Sequence, residues 1–175
     1  TYLCFDYHRA ILAGLAIVSR LLEPEGGAAM ATGGGSGVVI GLGGGALPMV
    51  LRHFFPAARL TVCELDATVV AVAKEWFGFC ETPFGGGAGE RGGEEGEGGE
   101  GGEVAAPAGG GGLVVWVGDG LAMNLGEARH AVVVIDVDSK DTTVGMSCPP
   151  TAFVAPGFLA KVRRALVPGG VLVVN

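Results

Sequence analysis

The run Val38-Val39-Ile40-Gly41-Leu42-Gly43-Gly44-Gly45-Ala46-Leu47-Pro48 constrains the fold of this chain more than any other segment. A β-branched strand that breaks into glycines and opens into a helix builds the cradle in which a parallel sheet holds a nucleotide-sized ligand. Gly41 permits the tight turn, Gly43 lets the backbone approach the ligand, and the small residues at 45 and 46 let the helix pack close to the strand. A glycine-rich turn alone is weakly specific. Here three acidic strand ends, Glu64, Asp119 and Asp136, follow it at suitable intervals, and the four features together are much more specific.

The rest of the chain alternates strand and helix. Ile11, Leu15, Val18 and Leu22 share one face of a helix predicted over 6–22, followed by a Gly/Ala-rich connection over 23–36. Strands are expected over 37–42, 59–65, 113–117, 131–137 and 171–175. Helices are expected over 46–54, with Pro48 tolerated in the first turn, over 67–77 behind an Asp66 cap, and over 153–166. The third of these is closed by Pro168-Gly169-Gly170. The apolar face of 67–77 reads as Val69, Val72, Ala73 and Trp76. This alternation predicts an α/β fold with a mainly parallel sheet, helices on both faces, and a ligand over the carboxyl ends of the strands.

A chain of 175 residues fits one domain over 1–175 with a real core. Its 34 glycines are far above the average share, and many lie in a run of Gly and Glu over 85–112. With six Glu against one Arg, that run carries −5 of the chain's −7 net charge. It holds too little apolar surface to offset the entropy of ordering, so it reads as a disordered surface insertion. The remainder is nearly neutral, which leaves no basic face for nucleic acid and no polybasic membrane anchor. No apolar run is long enough to cross a membrane. Cys4, Cys63, Cys80 and Cys148 are scattered without a C-x-x-C pair, which argues against a zinc site and suits a reducing, cytoplasmic compartment. The chain begins at Thr1 and stops at Asn175 within a fifth strand, and so reads as a fragment.

The acidic strand ends carry the chemistry. Glu64 can accept hydrogen bonds from both hydroxyls of a ribose. Asp119, in Gly118-Asp119-Gly120, can accept from an adenine amino group while its glycine neighbours leave room for the ring. Asp136 and Asp138 end the fourth strand two residues apart, and so point the same way and could together face the ligand's reactive end, orient an amine nucleophile and help remove its proton. The three histidines look isolated: His8 opens the first helix, and His53 and His130 read as surface residues. No His/Cys/Asp cluster has metal-ligand spacing.

The layout resembles the class I methyltransferases that use S-adenosyl-L-methionine, and within them the spermidine-synthase-like branch. Asp6-Tyr7-His8-Arg9, ahead of the glycine loop, is similar to that branch's entry segment. A closer resemblance is to the C-terminal domains of the methyltransferase-like proteins that modify eukaryotic elongation factor 1-alpha. It rests on the glycine loop, on Lys74-Glu75-Trp76-Phe77-Gly78-Phe79, and above all on the long run from Asp136-Val137-Asp138-Ser139-Lys140-Asp141 to Cys148-Pro149-Pro150. It covers the chain apart from the Gly/Glu insertion and the loop after Pro24.

That resemblance implies a Rossmann-like class I fold, here short of the later strands and the closing antiparallel hairpin. It implies methyl transfer from S-adenosyl-L-methionine to the N-terminal α-amine of elongation factor 1-alpha, with a lysine of the same substrate served by a separate domain. It further implies that Gly41, Gly43 and Gly45 line the cofactor, that Glu64 holds the ribose, and that Asp119 and Gly120 meet the adenine. Asp136 and Asp138 would lie beside the transferred methyl, stabilising the cationic sulfonium. An aminopropyltransferase would want an acid directly after the glycines, where Ala46 and Leu47 stand. A nicotinamide dehydrogenase fits Gly41-x-Gly43-x-x-Ala46 but has no clear use for Asp119 and the Asp136 cluster. A nucleic-acid amino-methyltransferase would want an aromatic residue where Thr151 follows Pro149-Pro150. A cofactor-binding scaffold without turnover also fits these residues.

Overall fold

The computed structural model describes residues 6–21, 35–84, 110–139 and 148–175. The connection up to Gly34, most of the Gly/Glu insertion (85–109) and the Lys140–Ser147 part of the long acidic motif lie outside them. In chain order the elements are α1 (Asp6–Leu21), β1 (Ser36–Ile40), α2 (Ala46–Phe54), β2 (Arg59–Glu64), α3 (Ala67–Trp76), β3 (Gly112–Val117) and β4 (His130–Ile135). A 3-10 turn (Thr151–Val154), α4 (Pro156–Ala165) and β5 (Leu166–Val174) follow.

The five strands form one sheet in the order β3-β2-β1-β4-β5, and every ladder is parallel. Because side chains alternate along a strand, each strand feeds two cores. On β1, Val39 points to the side packed by α1, α2 and α3, with Ile11, Leu51 and Ala73. Val38 and Ile40 point to the other side, against Phe158 and Val162 of α4. On β4, Val132 and Val134 join the first core, and Val133 and Ile135 the second. Burial on both faces explains why β1 and β4 are unbroken apolar runs.

Several elements differ from the sequence expectation for identifiable reasons. Gly112, assigned to the disordered insertion, is the first residue of β3 and pairs with Arg59. The helix expected over 153–166 is split. Pro156 fixes the first residue of α4, and Ala155 before it is forced to an extended ψ of 144°, leaving a separate 3-10 turn ahead of it. Pro168-Gly169-Gly170 does not simply close that helix: α4 ends at Ala165, and the three residues form an irregularity inside β5, where the register jumps from Leu166 opposite His130 to Val171 opposite Val132. β4 ends at Ile135 rather than Val137, because β1 turns away at Gly41 and offers no ladder partner beyond Ile40.

The face of α3 is also rotated. Val70 and Ala73 are buried, Phe79 fills the space beyond, and Val72 and Trp76 stand 41% and 73% exposed. Steps of about 100° per residue make a small rotation enough to exchange one stripe for its neighbour.

Candidate active site

The carboxyl ends of β1, β2, β3 and β4 open into one cavity of about 970 Å³, at the upper end of the range for small-molecule clefts. It lies where β1 has β2 on one side and β4 on the other, with their connections running to opposite faces. Gly41 turns the chain there with φ +101°, and a Cβ at this position would sit 2.0 Å from the carbonyl oxygen of Asp136. That close approach lets the Asp136 N–H donate to Ile40 O at 2.8 Å and seats Asp136 directly beside the glycine loop. Gly43 faces open space. Gly45, expected to line the ligand, instead faces Phe79, which a Cβ would meet at 2.6 Å; Gly44 takes its place in the lining.

Glu64 is held by two backbone donors. Leu42 N–H donates to its Oε2 at 3.0 Å and Asp66 N–H to its Oε1 at 3.1 Å. These bonds tie the carboxylate of β2 to the turn after β1 and leave each oxygen a lone pair for a further donor. Asp119 accepts the Leu121 N–H at 2.9 Å, a local turn that aims the loop after β3. Lys161 of α4 braces the same turn by donating to Leu121 O at 2.7 Å, and burial pulls its pKa down against the opposing pull of Asp119. Gly120 lines the cavity and is buried, but its missing side chain makes room for Ile40, which a Cβ would meet at 2.5 Å. Beneath the site Cys63 donates to Gly118 O, and burial, with Glu64 and Asp119 adding to it, pushes its thiol up to about 12. A thiol so hard to ionise serves as floor rather than nucleophile.

Asp136 and Asp138 both border the cavity, as expected, but from the loop after β4 and not from the strand. Asp136 is half-buried and engaged on both oxygens. Asn175 Nδ2 donates to its Oδ1 at 2.8 Å, and His8 Nε2 lies 3.5 Å from its Oδ2. Neither His8 nor Asn175 stood out as a site residue, and no spacing rule joins a helix ahead of β1 to the end of β4. His130, read as a surface residue, is buried at the opposite end of β4, with Nε2 2.8 Å from Leu125 O and Nδ1 2.9 Å from Ser36 Oγ. Burial holds its pKa below the usual histidine range. His53 is exposed, as expected. Among the described residues no group of acids, histidines and cysteines could hold a metal ion.

The cavity has a distinct electrical character. Four carboxylates, Glu64, Asp119, Asp136 and Asp138, border it, and no Lys or Arg does among the described residues. It favours a cation or a donor-rich ligand.

A parallel sheet in this order, with a glycine turn after β1 and acids after β2, β3 and β4, is the class I methyltransferase fold. No family model matches the chain. Over its whole length it is 36% identical to the eEF1A lysine and N-terminal methyltransferases of Xenopus laevis and Homo sapiens, matching 21% of each. The chain thus spans about a fifth of the length of these curated relatives. It superimposes on the crystal structure of human methyltransferase-like protein 13 in complex with SAH with a TM-score of 0.67 at 35% identity, covering 97% of this chain and 64% of that one. A probable spermidine synthase from Corynebacterium glutamicum shares the fold, with a TM-score of 0.59 at 20% identity over 98% of this chain and 47% of that one. The chain is therefore homologous to one segment of the eEF1A lysine and N-terminal methyltransferases.

Proposed function

We propose that this chain is the catalytic part of an S-adenosyl-L-methionine-dependent protein N-methyltransferase that acts on elongation factor 1-alpha, at its N-terminal α-amine or at a lysine. The observation that carries the reading is homology along the whole of this chain to a fifth of the named methyltransferases, combined with a cavity bordered by four carboxylates and, among the described residues, by no lysine or arginine.

The donor set suits the cofactor. Glu64, already aimed by two backbone N–H groups, offers charge-assisted acceptors to a ribose. Gly43 leaves open space beside the loop, and Asp119 borders the cavity from the turn after β3. S-Adenosyl-L-methionine supplies an electrophilic methyl on a cationic sulfur. Asp136 and Asp138 stabilise positive charge where the loop after β4 borders the cavity and orient an incoming ammonium. The Asn175 amide fixes the Asp136 carboxylate, so little reorganisation is needed when the amine arrives. Cys63 and Cys80, which form no disulfide, suit a reducing compartment such as the cytoplasm.

The test is to incubate the full-length protein with labelled S-adenosyl-L-methionine and purified elongation factor 1-alpha, and to map the label by mass spectrometry. Methyl on the N-terminal α-amine or a lysine is the expected result. Cofactor binding without any methyl on either group would reject the reading.

A further inference from the structure

We infer that Asn175 touches the substrate, its side-chain carbonyl Oδ1 accepting an N–H of the amine that receives the methyl. This assignment rests on the methyltransferase reading above and deepens it. Asn175 directly follows β5 and lines the cavity beside Asp136. Its main chain is pinned on both sides. The Asn175 N–H donates to Ile135 O at 3.0 Å, and the Cys148 thiol donates to Asn175 O at 3.5 Å.

The side-chain amide is turned one way only. Nδ2 donates to Asp136 Oδ1 at 2.8 Å and approaches Cys148 Sγ at 3.9 Å, which occupies both of its N–H bonds. An ionised carboxylate accepts and cannot donate, so a flipped amide would set two oxygens against each other. Oδ1 is therefore fixed as an acceptor, and among the described residues no donor of the fold takes it. Asn175 is half-buried in the cavity wall, which leaves that oxygen within reach of a ligand.

The chemistry asks for such an atom. Methyl transfer needs the lone pair of the amine, and only the neutral amine has one. A carboxylate stabilises the ammonium over the neutral amine, so a site built of carboxylates alone would keep a proton on that lone pair. A carbonyl oxygen carries no net charge and orients the neutral amine without that bias. As the lone pair forms the new N–C bond, and the electron pair of the broken C–S bond leaves with sulfur, positive charge grows on the nitrogen. The N–H donated to Oδ1 then becomes a charge-assisted donor, and its bond strengthens in the transition state. Asp136 is bonded to the same amide and stabilises the growing charge through its field. That carboxylate is itself already engaged, by Asn175 on Oδ1 and with His8 Nε2 3.5 Å from Oδ2.

The test must separate contact with the amine from a role exerted only through Asp136. It uses the full-length protein with Asn175→Ala and Asn175→Ser, each made both in wild type and in Asp136→Asn. The carbonyl of an asparagine at 136 can go on accepting from Asn175 Nδ2, so this background removes the charge and keeps the amide placed. Steady-state kinetics on elongation factor 1-alpha are read beside calorimetry of S-adenosylhomocysteine binding, and of elongation factor 1-alpha binding to the S-adenosylhomocysteine-loaded protein. The Asn175 variants should bind S-adenosylhomocysteine within twofold of wild type, bind elongation factor 1-alpha several-fold more weakly, and lose about 10- to 150-fold in kcat/KM. A further loss of about 10-fold or more should persist in the Asp136→Asn background. A loss seen only when Asp136 is intact overturns the proposal and leaves Asn175 as a positioning residue for that carboxylate. Unchanged kcat/KM in both backgrounds also overturns it, with the methyltransferase reading left standing. Wild-type protein that binds S-adenosylhomocysteine but transfers no methyl to an amine overturns both. Loss of S-adenosylhomocysteine binding in Asn175→Ala and Asn175→Ser alike rejects the proposal by making Asn175 a structural residue.

Discussion

A buried histidine lies at each end of β4, His130 on the strand itself and His8 reaching Asp136 from α1, and the pair shows how surroundings assign a role. At the amino end, His130 has both ring nitrogens engaged by neutral partners, Ser36 and Leu125, inside the fold. At the carboxyl end, His8 meets a carboxylate and an open cavity. Burial is almost equal, 9% and 5% exposed. The difference is that one imidazole is closed by the fold and the other faces space that a ligand can enter. A parallel sheet makes this asymmetry general, because its loops at the carboxyl ends diverge and leave a crevice.

The comparison can be broken most sharply at the carboxyl end. Asp136→Asn should lower turnover by about 100-fold or more while leaving the affinity for S-adenosylhomocysteine near wild type. Steady-state kinetics with calorimetry would check this, and equal losses in both would mark Asp136 as structural. Glu64→Ala should weaken cofactor binding by roughly 10- to 150-fold, the equivalent of a lost charge-assisted bond of about 1.5–3 kcal/mol. Unchanged affinity in calorimetry would remove the ribose assignment.

At the amino end the expected effects are on stability alone. His130→Leu should cost about 1–3 kcal/mol in denaturant unfolding, because Leu125 O and Ser36 Oγ lose their partner inside the fold. Any fall in turnover beyond the folded fraction would undo the contrast between the two histidines. The smallest effect is a pH slope. The folded state lowers the pKa of His130 from its ordinary 6.5, so the unfolded chain binds the proton more readily. The stability that depends on neutral His130 is therefore present above about pH 6.5 and is lost as pH falls through the lower, folded-state value. Unfolding curves taken downward from pH 7 should show this decline in wild type and a flatter one in His130→Leu.

Much of this was legible in the residues. The helix expected over 46–54 is α2 at the same bounds, and the glycine loop, Glu64, Asp119 and Asp136 meet at one cavity as their strand-end positions required. These are local signals: a β-branched run, a glycine that must turn, an acid at the end of an apolar stretch. Where the reading missed, the deciding contact was remote. The α3 stripe followed hydrophobicity alone, and packing kept Ala73 but chose Val70 over Val72 and Trp76. The i, i+2 argument for Asp136 and Asp138 assumed a strand that lacks a ladder partner past Ile135. Gly45 is indeed a glycine position, but Phe79 explains it better than ligand contact does, whereas Gly120 lines the cavity as expected and also makes room for Ile40.

By itself, the sequence determined the order of elements, the parallel class of the sheet, the glycine turn and the three acidic strand ends, because each is written in neighbouring residues through period, branching and turn chemistry. Only the tertiary structure decided which side chains complete the site. Asp136 follows β4, Asn175 follows β5 and His8 comes from α1; the parallel pairing of β4 with β5 brings the first two together, and the placement of α1 adds the third. Contacts of that kind depend on strand order and helix placement, which no local spacing records.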